Sequence, residues 1–448
     1  MPPLALELAV AVSVAVAFAD SSIVVLALPD LYVELDTTIV GISWVITAYN
    51  LAVVAALAVL FFAGRRARPA WLALGGLIVF FAASISCAAS VGLASLVAGR
   101  VVQGVGAALL LAASLPLLVT LSGSRERGVA TWVASGTLGA AAGPALGGAL
   151  TEAFDWRAIF AVQAPVAAAA AVAAVTQAAR SVPPESPSAE ARHPLRAGLV
   201  LALAFAALVG ALFLAVVLVV TVWDLGPLAG AGIVSALPIA SLLVRPLARK
   251  LPADLEIGAG AVLLAAGLAG LALLPSSSLV YAVLALALAG AGLGLAVPPL
   301  TRASLTGAEL ASASVFSVGT RHLGLVVGLV AVAPLLAVGL DRGGDRATLN
   351  ATAVVLDAQL PLRQKIPITL DLYRAFQRSP EGEIPDLAAP FNRHGAGRDR
   401  AVRRTRDSLL DTVEAALTRG FRSSFALSAA FALAAAAAAL ALRRPRFA

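Results

Sequence analysis

The chain has 448 residues, of which 60% are hydrophobic and only 13% are charged. An ordinary soluble domain has an apolar share nearer half, so the composition excludes that class. The net charge of +7 would suit a nucleic-acid partner, but almost all basic residues lie in polar segments between apolar runs, so no such partner is expected.

Apolar runs of about 20 residues recur along the chain, each long enough to cross roughly 30 Å of hydrocarbon as a helix. The first run passes signal-peptide length without a cleavage site, which predicts a retained span. The prediction is an all-α integral membrane protein with twelve transmembrane helices. They lie near residues 4–28, 42–63, 70–90, 94–121, 129–150, 158–178, 197–222, 227–247, 257–274, 279–299, 312–339 and 423–442.

The basic residues fix the predicted orientation. With the N-terminus inside, the inner loops and the C-terminus hold fifteen of them, including the cluster Gly64–Arg68, and the short outer loops hold only Arg157. This asymmetry follows the positive-inside rule. It predicts a multi-pass protein of a bacterial cytoplasmic membrane, in contact with the lipid bilayer and with both termini cytoplasmic.

The spans divide into two groups of six, and two bundles with a pathway between them are a common transporter plan. The predicted parts are an N-terminal six-helix bundle at 1–179, a cytoplasmic linker at 180–196, helices 7–11 at 197–340, an extracytoplasmic domain at 341–422, and helix 12 with a cytoplasmic tail at 423–448. The outer segment is too long for a simple loop. We expect it to fold by packing on the outer ends of the spans, with an amphipathic helix from Leu409 to Phe421, and to offer a surface to an extracytoplasmic partner.

The segment GTLGAAAGPALGG, Gly136 to Gly148, places glycines on one face of an apolar helix. Such a face lets another helix approach closely, and a proline bends the helix there. We predict that the face packs against the opposite half and serves conformational switching; an ordinary packing seam is the alternative. The residues concerned are Gly136, Gly139, Gly143, Pro144, Gly147 and Gly148.

Ionisable residues at membrane depth are costly and rarely without a role. Asp20 lies about 13 Å below the outer end of the first span, and Arg100 lies roughly 9 Å below the same surface. The two could form an ion pair, and the carboxylate could load a proton; a purely structural pair is the alternative.

Other polar groups within spans could line a substrate cavity, although interhelical hydrogen bonds, or a packed imidazole in the case of His322, are the more usual explanation. The candidates are Asn50, Gln103, Gln163, Arg321 and His322. The sequence has no Walker loop, metal-ligand cluster or nucleophile–base set, so we expect no enzyme, metal or cofactor, with a proton gradient as the energy source.

These motifs carry a family resemblance. The first-span sequence ADSSIVVLALP around Asp20, the fourth-span sequence beginning GRVVQG at Gly99, the glycine segment and the Trp156–Phe160 entry to span 6 resemble the major facilitator superfamily, chiefly its fourteen-span drug:proton antiporters. The resemblance implies the major facilitator fold and proton coupling through Asp20 and Arg100. The chain departs from that family in lacking two central helices, in having Leu57 and Phe61 where the family has glycine and aspartate, and in its large outer insert.

The sequence therefore predicts a monomeric exporter that exchanges protons for an amphiphilic small molecule or drug. Two buried arginines against one aspartate favour a neutral, anionic or zwitterionic substrate. The alternatives are a lipid or glycolipid exporter whose outer domain receives cargo, and a non-transporting membrane scaffold.

Overall fold

The computed structural model describes residues 3–62, 68–178, 194–248, 250–275, 277–305, 309–378, 386–395 and 399–441, which form helices and connections without a strand. The helices, in chain order, are α1 Pro3–Ile23, α2 Leu28–Glu34, α3 Ile39–Phe62, α4 Pro69–Ala88, α5 Leu93–Ser122, α6 Arg125–Ala153, α7 Arg157–Ala178, α8 Leu195–Val216, α9 Pro227–Val234, α10 Ala236–Leu243, α11 Arg245–Ala248, α12 Ala253–Ala272, α13 Leu279–Ser304, α14 Leu310–Asp357, α15 Leu362–Arg378, α16 Ala388–Arg393, α17 Arg400–Gly420 and α18 Arg422–Ala441.

Helices occupy all twelve predicted spans, and the all-α membrane fold is confirmed. Two predicted spans are interrupted: a 3-10 turn at Val24–Ala27 joins α1 to α2, and short breaks divide the eighth span into α9, α10 and α11. Ten segments of the described chain are long and apolar enough to cross a membrane, and Arg157–Val172 is a shorter apolar helix. α6 is not among them because its many glycines dilute its hydropathy. The count of twelve membrane crossings stays a prediction.

The two halves repeat the same internal packing. A Cβ built at Gly76 in α4 would lie 2.6 Å from the carbonyl oxygen of Gly106 in α5, and one at Gly260 in α12 would lie 2.6 Å from that of Gly292 in α13. The pairs α1–α6 and α3–α5 of the first half likewise correspond to α8–α14 and α10–α13 of the second. The sequence thus folds into two related six-helix bundles.

The bundles meet mainly along three pairs of helices, α3 with α14, α5 with α14 and α6 with α9. Buried apolar residues from both halves form continuous clusters across this boundary. Most of the predicted linker and the basic residues Arg65 and Arg66 lie outside the described residues.

The segment before the last helix was expected to fold by packing on the ends of the spans, and the structure shows an additional source of order. α14 continues without a break through position 341 to Asp357, so its 48 residues extend about 70 Å. Its far end, with α15, α16 and α17, encloses a separate apolar core that includes Val355, Ile368, Phe391 and Leu409. The insert therefore has a core of its own, in addition to its packing against the ends of the spans.

The predicted amphipathic helix of the insert is present as α17. Leu409, Val413 and Leu417 are buried on one face of this helix, as their spacing indicates. Near its end, Trp223 Nε1 donates a hydrogen bond of 3.1 Å to Thr418 Oγ1, which ties the insert to the end of the seventh span.

Candidate functional site

The centre of the N-terminal half contains a buried ion pair between α1 and α5. Arg100 Nη1 lies 2.6 Å from Asp20 Oδ2, and both side chains are completely excluded from solvent. α5 comes this close to its neighbours because small residues flank the arginine: a Cβ at Gly104 would overlap the carbonyl oxygen of Tyr49 in α3. The sequence-based pairing of Asp20 with Arg100 is confirmed.

Arg100 is held independently of the carboxylate. Its Nε donates to the Val45 carbonyl oxygen at 2.9 Å, its Nη1 donates to Gln103 Oε1 at 2.7 Å, and its Cζ lies 4.4 Å from the centre of the Tyr49 ring. Gln103 in turn donates to Gln163 Oε1 at 2.8 Å. The guanidinium thus stays anchored between α3, α5 and α7 whatever the charge on Asp20.

Asp20, in contrast, depends on Arg100. Both carboxylate oxygens are buried; Oδ2 is in ionic contact with the guanidinium and the Gln163 amide lies within reach of the carboxylate, although neither oxygen makes an aligned hydrogen bond with a described residue. A buried carboxylate is stable either ionised beside a cation or protonated and neutral. Both protonation states of Asp20 are therefore chemically reasonable beside Arg100.

A hydrogen-bonded chain leads from Ser21, the residue after Asp20 in α1, to the other half. Ser21 Oγ donates to Asn50 Oδ1 at 3.0 Å, and His322 Nδ1, on α14, lies 2.6 Å from the same oxygen. The Asn50 amide nitrogen donates to the Ile46 carbonyl oxygen, so Oδ1 is the acceptor and His322 must donate. This chain is a polar connection between α1 and α14 across the boundary of the bundles.

A cavity of about 90 Å³ lies between the halves. Its lining comes from α1 and α6 on one side and from α8, α10, α13 and α14 on the other, and it is mostly apolar, with a few hydroxyls such as Ser21 and Thr137. Among the described lining residues the only charged one is Arg321. This is the position of the substrate pathway expected between two bundles.

Arg321 crosses the boundary of the halves. Its Cζ lies 4.1 Å from the ring centre of Phe18 in α1 and 4.4 Å from that of Phe205 in α8. Within the described part of the chain, it makes no ion pair or hydrogen bond, and its Nε is buried. Two aromatic faces are thus the partners of this charge in place of an anion.

The other four candidate cavity residues lie elsewhere. Asn50, Gln103, Gln163 and His322 are buried in hydrogen bonds between helices and do not line the cavity, which is the alternative that the sequence left open. The described residues contain no group of three His, Cys, Asp or Glu side chains arranged to hold a metal ion.

The prediction that the glycine face packs against the opposite half was wrong. A Cβ at Gly139 would overlap the Ala15 carbonyl oxygen, one at Gly143 would overlap the Ser22 side chain, and one at Gly147 would overlap the Ile23 carbonyl oxygen. The face thus packs on α1 of its own half, because α1 supplies an exposed backbone of small residues.

The remaining switching candidates have different neighbours. Gly148 meets the opposite half, where a Cβ would lie 2.8 Å from the Pro227 carbonyl oxygen, and Gly136 lies beside the Phe18 ring. Pro144 lines the cavity.

Sequence reasoning missed the aromatic partners of the buried charges. Phe18 lies two residues before Asp20, a proximity that could have indicated a role, whereas nothing in the apolar run around Phe205 distinguishes it from a lipid-facing residue. Ser21 was part of a quoted motif but was not given a function.

Known transporters resemble part of this chain in sequence. The chain is 38% identical over 149 residues to an uncharacterised MFS-type transporter of Mycobacterium tuberculosis, covering 33% of this chain and 26% of that protein. It is 34% identical over 154 residues to the drug efflux pump JefA of the same species, covering 34% and 30%, and 34% identical over 154 residues to a methylenomycin A resistance protein of Bacillus subtilis, covering 34% and 33%. These matches span about a third or less of each relative's length.

Solved structures show the same fold. A bacterial homologue of the human lysosomal transporter Spinster, inward-facing and occupied, matches 97% of this chain and 95% of its own with a TM-score of 0.63 and 15% identity. A D-xylose–proton symporter matches 74% and 90% with a TM-score of 0.59 and 13% identity. The family model for the Major Facilitator Superfamily matches residues 10–339. The chain therefore belongs to the Major Facilitator Superfamily.

Proposed function

We propose that this transporter exports an amphiphilic small molecule in exchange for protons, by alternating access of the central cavity to the two sides of the membrane. The observation that carries the proposal is the buried Asp20–Arg100 pair, whose carboxylate has no aligned hydrogen bond with a described residue. Similarity to drug efflux pumps supports the export of small molecules.

The first step is protonation of Asp20. A proton added to the carboxylate removes its charge, so the ionic attraction to Arg100 ends, while the guanidinium keeps its bonds to Val45 and Gln103. Asp20 is then free to shift with α1. Since burying a neutral carboxyl costs much less than burying an unpaired carboxylate, the pair alternates between two stable states.

The second step transmits this shift to the other half. Ser21, the next residue along α1, is bonded to Asn50, and Asn50 holds His322 across the boundary. The close glycine seam makes α1 and α6 one rigid unit, and α6 contacts α9 of the opposite half at Gly148. A movement of α1 therefore acts on two of the helix pairs that join the bundles, α3 with α14 and α6 with α9.

The cavity indicates the kind of substrate. Binding sites for drug-sized molecules are typically about 300–1,000 Å³, so a cavity of about 90 Å³ is a narrow state that admits substrate only after the halves part. Its apolar lining suits the hydrophobic body of an amphiphile.

Proton movement in proteoliposomes tests the proposal. Purified protein is reconstituted with a pH-sensitive dye trapped inside, and neutral, zwitterionic, anionic and cationic amphiphiles are added in turn. We expect at least one of them to change the internal pH in protein-containing vesicles and not in empty ones. Protein-independent responses to every compound would favour a scaffold without transport.

A further inference from the structure

The unpaired guanidinium of Arg321 lies in the cavity, where the proposed function requires substrate to bind. A charge in an apolar environment is stabilised by an opposite charge or by hydrogen bonds. Within the described residues, Arg321 has neither, and Asp20, the acidic residue deep in the first span, is paired with Arg100. The cavity therefore has an excess positive charge.

The aromatic contacts of Arg321 belong to different halves. Phe205 lies on α8 in the same bundle as α14, whereas Phe18 lies on α1 in the other bundle. When the bundles part, the guanidinium keeps Phe205 and loses Phe18. It then presents its donors to the widened cavity, where an anion can replace the lost ring.

At Gly136 the neighbouring helix α6 has no side chain, and a Cβ there would lie 2.9 Å from the Phe18 ring, so space for an anion opens at this position when Phe18 moves away. Gly136 of α6 is beside the guanidinium, since a Cβ built there would lie 3.6 Å from Arg321 Nη1. The Ser241 hydroxyl adds a hydrogen-bond donor to the otherwise apolar lining, whereas the hydroxyls of Ser22 and Thr137 already donate to backbone carbonyl oxygens. No Asp or Glu is found among the described lining residues, so nothing there attracts a cation.

We propose that Arg321 is the headgroup site for an amphiphile with a single anionic group, such as a carboxylate or sulfonate, whose apolar body occupies the rest of the cavity. The proposal rests on the proposed function and narrows it from amphiphiles in general to anionic ones. Phe18 and the anion compete for the same guanidinium, so bound substrate holds the halves apart until it leaves.

The test compares two fluorescent probes with the same aromatic body. 8-Anilinonaphthalene-1-sulfonate carries a permanent anion, and N-phenyl-1-naphthylamine lacks it. Binding to the protein in lipid nanodiscs is measured by energy transfer from protein tryptophans, with empty nanodiscs as the blank. We expect saturable binding of the sulfonate that is at least about tenfold tighter than that of the amine, the factor corresponding to one charge-assisted hydrogen bond.

Three variants locate the site. Arg321→Gln should reduce sulfonate affinity by about tenfold or more and leave the amine unchanged, and Arg321→Lys should retain part of the preference. Arg346→Gln is the matched control, because it makes the same change on the exposed outer part of α14, about 37 Å along the helix. It should bind both probes as the wild type does.

Equal binding of the two probes by the wild type, or a sulfonate preference that survives Arg321→Gln, would overturn the assignment. The wild-type comparison decides the matter even if a variant does not fold. Sulfonate binding through Arg321 without any proton flux would retain the site and contradict the transport mechanism. Proton flux driven by neutral or cationic amphiphiles that does not depend on Arg321 would support the transport mechanism and contradict the anion site.

Discussion

The hydrogen bond between Asn50 and His322 should control how often the two bundles separate. Substituting Asn50 by leucine keeps most of the side-chain volume and removes the oxygen that accepts from both Ser21 and His322. Of these two bonds, only the one from His322 crosses between the halves. While the two bundles are in contact, His322 Nδ1 would then be buried without a partner. When the bundles separate, water can reach this nitrogen.

The expected size of the effect follows from that difference. A buried donor left unsatisfied costs about 1–3 kcal/mol. The arrangement with the bundles in contact should therefore lose about 5- to 150-fold in population relative to the separated one. Ser21→Ala is the matched control, because it removes a bond to the same oxygen within one half and leaves the crossing bond in place.

Distances between spin labels can measure this shift by double electron–electron resonance. The chain has a single cysteine, so Cys87→Ser gives a background without thiols. One pair of labels is placed at Val91 and Ser277, and another at Glu126 and Lys250, all exposed and each pair joining opposite halves. For one of these two label pairs, the Asn50→Leu protein should show a larger share of long distances than the wild type.

Unchanged distance distributions for both pairs would refute the reasoning. They would mean that the contact between Asn50 and His322 contributes packing but does not hold the bundles together. An equal shift in Ser21→Ala would place the effect within the N-terminal half and not at the boundary.

Three further predictions follow from the packing. Gly139→Leu should lower the melting temperature, because the leucine side chain would collide with the backbone of α1. Gly148→Leu should leave the melting temperature near that of wild type and shift the spin-label distances, because Gly148 faces the opposite half. A stability loss in Gly148→Leu and a distance shift in Gly139→Leu would contradict this packing. Arg100→Ala should destabilise the protein by about 3–5 kcal/mol in denaturant unfolding, since it leaves a buried carboxylate unpaired, and a loss below about 1 kcal/mol would argue against that pairing. The hydrogen bond from His394 holds the pKa of Asp371 below its usual 3.8, so the carboxylate stabilises the insert at neutral pH and this stabilisation is lost as the pH falls through the lowered pKa. Asp371→Asn should therefore make limited proteolysis of the insert depend less on acid pH. An identical pH profile in the variant would exclude this contribution of Asp371 to stability.

The sequence predicted the helices well because the bilayer imposes a strong constraint. Each span needs about 20 apolar residues, and prolines or charges mark most of the ends. The Asp20–Arg100 pair was predictable for a related reason: very few charged residues lie within the spans, so two opposite charges at similar depth have few other partners.

The partners of individual faces were harder to predict. Periodicity identifies the glycine face of α6 but does not say which helix lies against it, and the structure places α1 there. The position of Arg321 between Phe18 and Phe205 depends on the contact of two distant halves, which no local pattern encodes.

The continuation of α14 past residue 341 was obscured by the change from apolar to polar composition. A signal was nevertheless present. Ala347, Ala351 and Val355 recur every four residues, which is the spacing of one helical face, and this face is buried in the core of the insert.

The central claim is that Asp20 carries the coupling proton, and the most direct test compares wild type with Asp20→Asn in liposomes, using the amphiphile that wild type transports. The amide keeps the volume of the carboxyl but cannot exchange a proton in the relevant range. We expect the variant to remain folded and to lose accumulation driven by an imposed pH gradient. Wild-type accumulation with an unchanged pH dependence in the Asn variant would contradict the account.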